Sequence, residues 1–551
     1  LVEAFVRHFG HCCQDIVTVG TETTSQLPAL AELAFAHLSS VSKSQAAGLL
    51  APLLREESVQ LAGLSCMVSE YMVEKARDRF KMKPGNPDRM AEYARALISN
   101  AVDLERVGNA RMACEVGLTG LELYRRLVVK NPARYEPGYA LSLSNYASHL
   151  GDAGRYEEAL EHSRRAVEIR ERLARNNPDR YESDYAASLN NYANYLSEAG
   201  RYEEALEHGR RAMEIRERLA RNNPDRYEPG YASSLSNYAN RLSEAGRYEE
   251  ALEHARQSLE IDERLAGINP DRHEPGYATS LNNYANRLSE AGRYEEALDR
   301  TRQSLDIRER LARKNPDRYE PDYALSLSSY ASYLSKAGQY EEALEYSRRA
   351  LETRERLAGD NPDRYEPDYA RSLSNYASRL SEAGRYEEGL DYARQSLEIR
   401  ERLAQKNIKR NAEDLFTDIC FADFLAWLCD KERGVAKSDL DQIIESIPLH
   451  QHPLMLLFSA FVEACWAPDR DGRSEAFQRA ITVWNDLSIA SKTRGEPYWL
   501  CAAAWSAKYE PANLSETNWL DMWRRFAEQR KGRIPHWMLD VARRLEFQWP
   551  E

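Results

Sequence analysis

Residues 132–407 repeat one 46-residue unit six times, and a fixed period of this length commits the stretch to stacked supersecondary units rather than to a single globular core. Asn-Pro pairs punctuate the copies, with prolines at Pro132, Pro178, Pro224, Pro270, Pro316 and Pro362. The copy from Pro178 to Asn223 reads PDRYESDYAASLNNYANYLSEAGRYEEALEHGRRAMEIRERLARNN. Within it Leu189, Tyr192, Ala193 and Leu196 recur at i, i+3, i+4 and i+7, which predicts an amphipathic helix from about Asp184 to Ala199, capped by Gly200. A second helix opens on Arg201-Tyr202-Glu203-Glu204, whose carboxylates complement the positive end of the helix dipole. Its predicted inward face is Tyr202, Ala205, Leu206, Gly209, Ala212, Met213 and Ile215. The small residues let two backbones approach, and Asn223-Pro224 is predicted to stop the helix.

The pattern Leu189-x-x-Tyr192-Ala193-x-x-Leu196, followed by Gly200-x-Tyr202-x-x-Ala205 and Ala212, resembles the tetratricopeptide repeat, with Tyr-Ala where that family usually has Leu-Gly. The usual unit is about 34 residues long. The surplus here falls in a longer second helix and in the connector NPDRYEPDY, as in the extended repeats of kinesin light chains and of large bacterial and fungal signalling proteins. The resemblance implies an all-α fold, a right-handed α-solenoid of about seven hairpins with helical N- and C-terminal caps. It also implies that the chain binds protein or peptide.

Three regions follow from the period. Residues 1–85 lack it and read as irregular helices, among them 27–38, 46–54 and 61–81, forming an N-terminal cap or the tail of an upstream module. Residues 86–407 form the solenoid, because Leu97, Ala101, Leu104, Gly108 and Ala113 stand 46 positions before Leu143, Ala147, Leu150, Gly154 and Ala159 and mark a decayed first copy. A degenerate end repeat is expected where one face has no neighbour. Residues 408–551 form a helical domain holding all nine tryptophans, either as a core or as aromatic anchors for a partner.

Charge argues about partners. Charged residues make up 30% of the chain, the net charge is -13, and both signs are interleaved, which argues against a surface that tracks nucleic-acid phosphates. No apolar run of about 18 residues predicts a membrane span. Eight scattered cysteines fit a reducing, cytoplasmic setting. The first residue is Leu and residues 1–9 lack a secretion signal, so the chain is expected to continue upstream, with any oligomerisation residing in the domains there.

Metal and catalytic motifs are wanting. His8, His11, Cys12 and Cys13 have no second pair at zinc spacing, and His450-Gln451-His452 is weaker. His162, His208 and His254 recur every 46 residues, about 10 Å apart by helix packing, too far to share one ion; they are expected at the surface. No GxxxxGK[ST], GxSxG or HExxH motif occurs, so neither a catalytic centre nor a cofactor is implied. The Glu-Glu pair of every copy serves the helix dipole.

A ligand is expected on the polar arc of the first helix, at Ala187, Asn190, Asn194 and Glu198. In the resembling family this arc lines the concave groove. Down the copies it offers Asn190 and Asn282 in one column, Asn194, Asn240 and Asn286 in a second, Asn191, Asn237 and Asn283 beside the first, and Arg371 in the variable column of Leu141, Ala187, Ser233, Thr279 and Leu325. Short amides and hydroxyls can donate to and accept from an extended backbone, or they can be solvated helix surface. Tyr195, Arg241, Arg287, Tyr333 and Arg379, in the column of His149, are predicted on an edge.

The chain is therefore expected to be an interaction solenoid, the sensor region of a larger switch similar to STAND-type NTPases of bacterial defence and signalling. The alternatives are a repeat array regulating a caspase-like or other hydrolase, with His536 and Cys501 in a catalytic remnant, and a cargo adaptor.

Overall fold

The computed structural model describes residues 62–406, 408–432, 453–487, 489–510 and 518–550, with isolated positions between 32 and 50. The helices expected at 27–38 and 46–54 fall largely outside these residues. The His8, His11, Cys12, Cys13 cluster and the His450, His452 pair fall wholly outside. The chain divides into two compact units, residues 1–238 with 307–323 and residues 239–306 with 324–551. Every regular element among the described residues is a helix.

After α1 (Ala62–Met82) come α2 (Pro87–Arg106), α3 (Ala110–Lys130), α4 (Pro132–Asp152), α5 (Tyr156–Asn176), α6 (Pro178–Glu198), α7 (Tyr202–Asn222), α8 (Pro224–Glu244) and α9 (Tyr248–Ile268). The same alternation continues through α10 (Pro270–Glu290), α11 (Tyr294–Lys314), α12 (Pro316–Lys336), α13 (Tyr340–Asp360), α14 (Pro362–Glu382) and α15 (Tyr386–Lys406). The last six are α16 (Ile408–Leu428), α17 (Pro453–Trp466), α18 (Arg470–Asp486), α19 (Ile489–Tyr509), α20 (Trp519–Gln529) and α21 (His536–Arg544).

The Asn-Pro pair ends one helix, as expected, and also starts the next, which corrects the expected connector. Asn177 alone separates α5 from α6. Its N–H donates to Leu173 O at 2.9 Å, closing α5, while its side-chain oxygen accepts from Arg180 N at 3.3 Å, opening α6. Pro178 is then the first helical residue, where a missing N–H leaves no hydrogen bond unmade. The stretch read as a connector is thus the first two turns of a 21-residue helix. In α8, Pro229 in the second turn removes one backbone hydrogen bond, yet α8 is also 21 residues long, the same as α6 with Ser183 there.

Between the two helices of a hairpin the chain turns on a glycine in the left-handed region. Gly200 has φ +73°, its N–H donates to Ser197 O at 2.9 Å, and Arg201 N–H donates to Leu196 O at 2.8 Å, which satisfies the last carbonyls of α6. Gly108 adopts the same conformation between α2 and α3. The decayed copy therefore makes the same turn, although Asn100 replaces its tyrosine. Leu189, Tyr192, Ala193 and Leu196 pack with Ala205 and Ala212 as expected. Tyr202 is a correction: it is 38% exposed rather than inward.

The three histidines of the second helices are half-buried. His162 packs edge-on against Tyr146 with ring centroids 5.0 Å apart, and His208 against Tyr192 at 4.9 Å; Tyr346 and Tyr392 make the same contact with Tyr330 and Tyr376. Burial pushes the imidazoles of His162, His208 and His254 below their ordinary range. A base depressed by folding contributes its stability above the unfolded value near 6.5 and loses it as pH falls through the folded value. Melting curves at falling pH should therefore show a loss below about pH 6.5 that is smaller in the His162→Phe, His208→Phe, His254→Phe triple variant. An equal loss in both proteins would refute the assignment.

The C-terminal helices close the second unit on a continuous core. Phe424, Phe461, Phe477, Trp499, Trp505 and Phe526 are all buried within it, so these aromatics are core. From this core α20 and α21 reach across the turns of three hairpins of the same unit. A Cβ at Gly292 would meet Gln529 Nε2 at 3.1 Å, one at Gly338 the Arg530 carbonyl oxygen at 2.7 Å, and one at Gly384 the His536 ring at 3.3 Å. Tyr340 OH donates to Arg533 O at 2.9 Å, and Lys531 pairs with Glu295 at 2.7 Å.

Candidate polypeptide-binding face

Within each unit the first helices of neighbouring hairpins lie side by side, tied by polar contacts about one period apart. Asn190 Nδ2 donates to Ser234 Oγ at 2.9 Å in the first unit, and Asn282 Nδ2 to Ser326 Oγ at 2.9 Å in the second. Both asparagines are buried in these contacts, so the expected arc is corrected by one position: Asn190 and Asn282 hold neighbouring hairpins together instead of facing solvent. Beyond the first turn of α6 the residues left open are Asp184, Asn191, Asn194 and Glu198, with Ala187 half-buried among them.

The asparagines beside the expected column now carry the interest. Asn145 and Asn237 are half-buried and Asn191 is exposed in the first unit; Asn283 and Asn375 are half-buried in the second. None of their side-chain amides has a hydrogen-bond partner among the described residues. The neighbouring column differs. Asn194 is exposed and engaged, Asn240 is half-buried, and Asn286 is exposed with its amide oxygen accepting from Tyr333 OH. Arg371 is exposed and pairs with Asp368 at 3.0 Å.

Edge positions turn out to be walls between hairpins. Tyr333 is 4% exposed and burial raises its phenol, while Tyr195 is half-buried against Gly151 and burial, then Asp152 and Glu105, push its phenol up to about 12. Arg241, Arg287 and Arg379 are half-buried and paired with Glu244 at 2.6 Å, Glu290 at 3.2 Å and Glu382 at 3.1 Å. Each of these three arginines is thereby paired within its own helix.

One functional column escaped the sequence reading. Every second helix from α5 to α15 carries a charged residue at its fifteenth position: Arg170, Arg216, Asp262, Arg308, Arg354 and Arg400. They lie on the packed side of the helix and reach the first helix of the following hairpin. Arg308 donates to Asp322 O at 2.9 Å and Arg354 to Ser372 Oγ at 2.9 Å. Their spacing was visible, but an arginine among many on an Arg-rich helix gives no sign of burial.

No group of three or more His, Cys, Asp or Glu among the described residues could hold a metal ion, and no described helix is long and apolar enough to cross a membrane. Cys501 is fully buried and burial raises its thiol well above the ordinary range, which keeps it protonated; His536 lies against Gly384.

Paired 21-residue helices, a one-residue Asn break between pairs and a left-handed glycine within each define a helical-hairpin repeat protein. Residues 138–218, 184–264 and 322–402 match one tetratricopeptide-repeat family model and residues 278–317 a second, so these stretches are tetratricopeptide repeats. These repeats form a helical solenoid of that kind. No curated protein matches the sequence. Similar solved structures include BtubC (BKLC) from P. vanneervenii, 20% identical over 45% of this chain and 92% of that one, with a TM-score of 0.37. A STAND protein with a tetratricopeptide repeat sensor from Pyrococcus horikoshii is 14% identical over 82% and 69%, at 0.38. The apo quorum sensor NprR from B. thuringiensis is 15% identical over 66% and 95%, at 0.40.

Proposed function

We propose that the chain captures an extended polypeptide along the asparagine column, as the cytoplasmic ligand-recognition region of a larger multidomain signalling or defence protein. The observation that carries this reading is the set of amides at Asn145, Asn191 and Asn237 in the first unit, none of which has a hydrogen-bond partner among the described residues. Packed helices stand about 10 Å apart, and an extended chain rises about 3.3 Å per residue, so neighbouring hairpins address every third residue of a strand. An asparagine offers both a donor and an acceptor, which matches the C=O and N–H of a peptide unit whatever its side chain. The ligand is then recognised by backbone first and by a few side chains second.

Peptides selected from a random phage-displayed library on the intact chain provide the probe. Replacing Asn145, Asn191 and Asn237 together by alanine is expected to weaken a selected peptide by about a hundredfold or somewhat more, three hydrogen bonds at about 1 kcal/mol each. Fluorescence anisotropy measures it. An unchanged affinity in a variant with an unchanged melting curve would overturn the reading.

A further inference from the structure

Among the charged residues of the second helices, Arg216 differs from its equivalents. Arg170 donates to Ser188 Oγ and, at 3.2 Å, to Asp184 O; Arg308 and Arg354 have the partners given above; Arg400 pairs with Asp414 at 2.7 Å; Asp262 accepts from Ser280 Oγ. The guanidinium of Arg216 makes no hydrogen bond among the described residues, and its Nε is buried without a partner. Burial lowers its pKa, offset in part by Asp184, which lies near enough to act through space but does not close an ion pair. A mostly buried cation without a hydrogen-bonding partner is a costly arrangement that a ligand can relieve.

Gly230 explains where the fork points. A Cβ at Gly230 would stand 2.2 Å from Arg216 Nη1, so the absence of a side chain there admits the guanidinium. Gly230, Ser233 and Asn237 follow one another at i, i+3 and i+7, so they form one stripe of α8. Arg216 therefore meets α8 on the stripe that carries Asn237, two turns before it and about 10 Å along the helix. Its equivalent Arg170 is instead held by Ser188, whereas Ser234, the corresponding serine for Arg216, accepts from Asn190.

We propose that Arg216 is a specificity-determining residue of this face and takes the carboxylate of an Asp or Glu side chain in the bound polypeptide, through the paired N–H groups of its fork. This rests on the reading that the face binds an extended polypeptide. Backbone amides hold the strand, and Arg216 fixes its register.

The test uses the library-selected peptides and the intact chain. Selected sequences should share an acidic residue at one place, and Arg216→Gln should weaken them about tenfold. Changing that acid to its amide should cost the wild-type chain the same factor and the Arg216→Gln chain nothing further. Gly230→Ala, which displaces the fork and keeps its charge, should weaken binding in the same direction, and Arg216→Lys should restore part of it; equal melting curves establish folding. Peptides that depend on Asn191 and Asn237 but carry no fixed acid, or bind Arg216→Gln unchanged, would overturn the role of Arg216 alone. Failure to select any peptide, or selection of peptides indifferent to those asparagines, would overturn the binding face and this inference with it.

Discussion

Replacing Trp537 by alanine is expected to remove about 3–5 kcal/mol from the unit of residues 239–306 and 324–551, the range for truncating a large core aromatic. Its indole is 6% exposed, lies over Tyr498 with centroids 5.4 Å apart, and meets Phe424 edge-on at 5.5 Å and Phe461 at 6.2 Å. It thereby ties α21 to α16, α17 and α19. With nine residues α21 is too short to persist alone, so its helicity comes from this packing. Loosening it also withdraws Asp540 from Tyr386 OH and His536 from Gly384. Amide hydrogen exchange should show protection lost in α17, α19 and α21 and unchanged in α4 to α7, since repeats feel their neighbours and little else. A loss under about 1 kcal/mol, or one spread evenly over the chain, would contradict a tryptophan core.

Hairpins were legible in the amino-acid sequence because Leu189, Tyr192, Ala193 and Leu196 obey helical periodicity and Gly200 marks the turn; the seven turn glycines do adopt positive φ. Helix starts were not, because proline reads as a stop until its place is known. Asn177-Pro178 ends one helix and begins the next within a single residue, and only the cap hydrogen bonds reveal it.

The candidate face was legible to within one position. Asn190 and Asn191 are adjacent and chemically identical, and the side of the helix that a neighbouring hairpin covers depends on stacking geometry, which the 46-residue period does not encode. Asn190 finds Ser234 and is buried; Asn191 finds solvent. The arginine column was invisible for the opposite reason. Arg354 looks like Arg348 in sequence, yet one is buried on Ser372 and the other is paired with Glu345 at the surface. A position repeated in five of six copies as Arg and once as Asp was the available signal.

The same column explains how α16 stacks on the last copy although Ile408 stands where proline was due, and it makes the second large prediction. Where the copies carry Ser188, Ser234, Ser280, Ser326 and Ser372, α16 carries Asp418. Asp418 accepts from Ser374 Oγ at 2.7 Å and Ser396 Oγ at 2.5 Å, and lies 3.8 Å from Arg400 Nε; Asp418 is 6% and Arg400 3% exposed. Asp418→Ala should cost about 1–3 kcal/mol, because it removes the buried carboxylate to which two hydroxyls donate, while Arg400 keeps Asp414 at 2.7 Å. Arg400→Met combined with Asp418→Leu should recover most of that loss, since an apolar pair of similar volume removes the need for compensation. Urea unfolding followed by tryptophan fluorescence measures both. If the single substitution costs under about 1 kcal/mol, or the double variant is no more stable than Asp418→Ala, the carboxylate is not what fastens α16 to the repeats, and apolar contacts such as those of Phe416 and Ile419 must hold it instead.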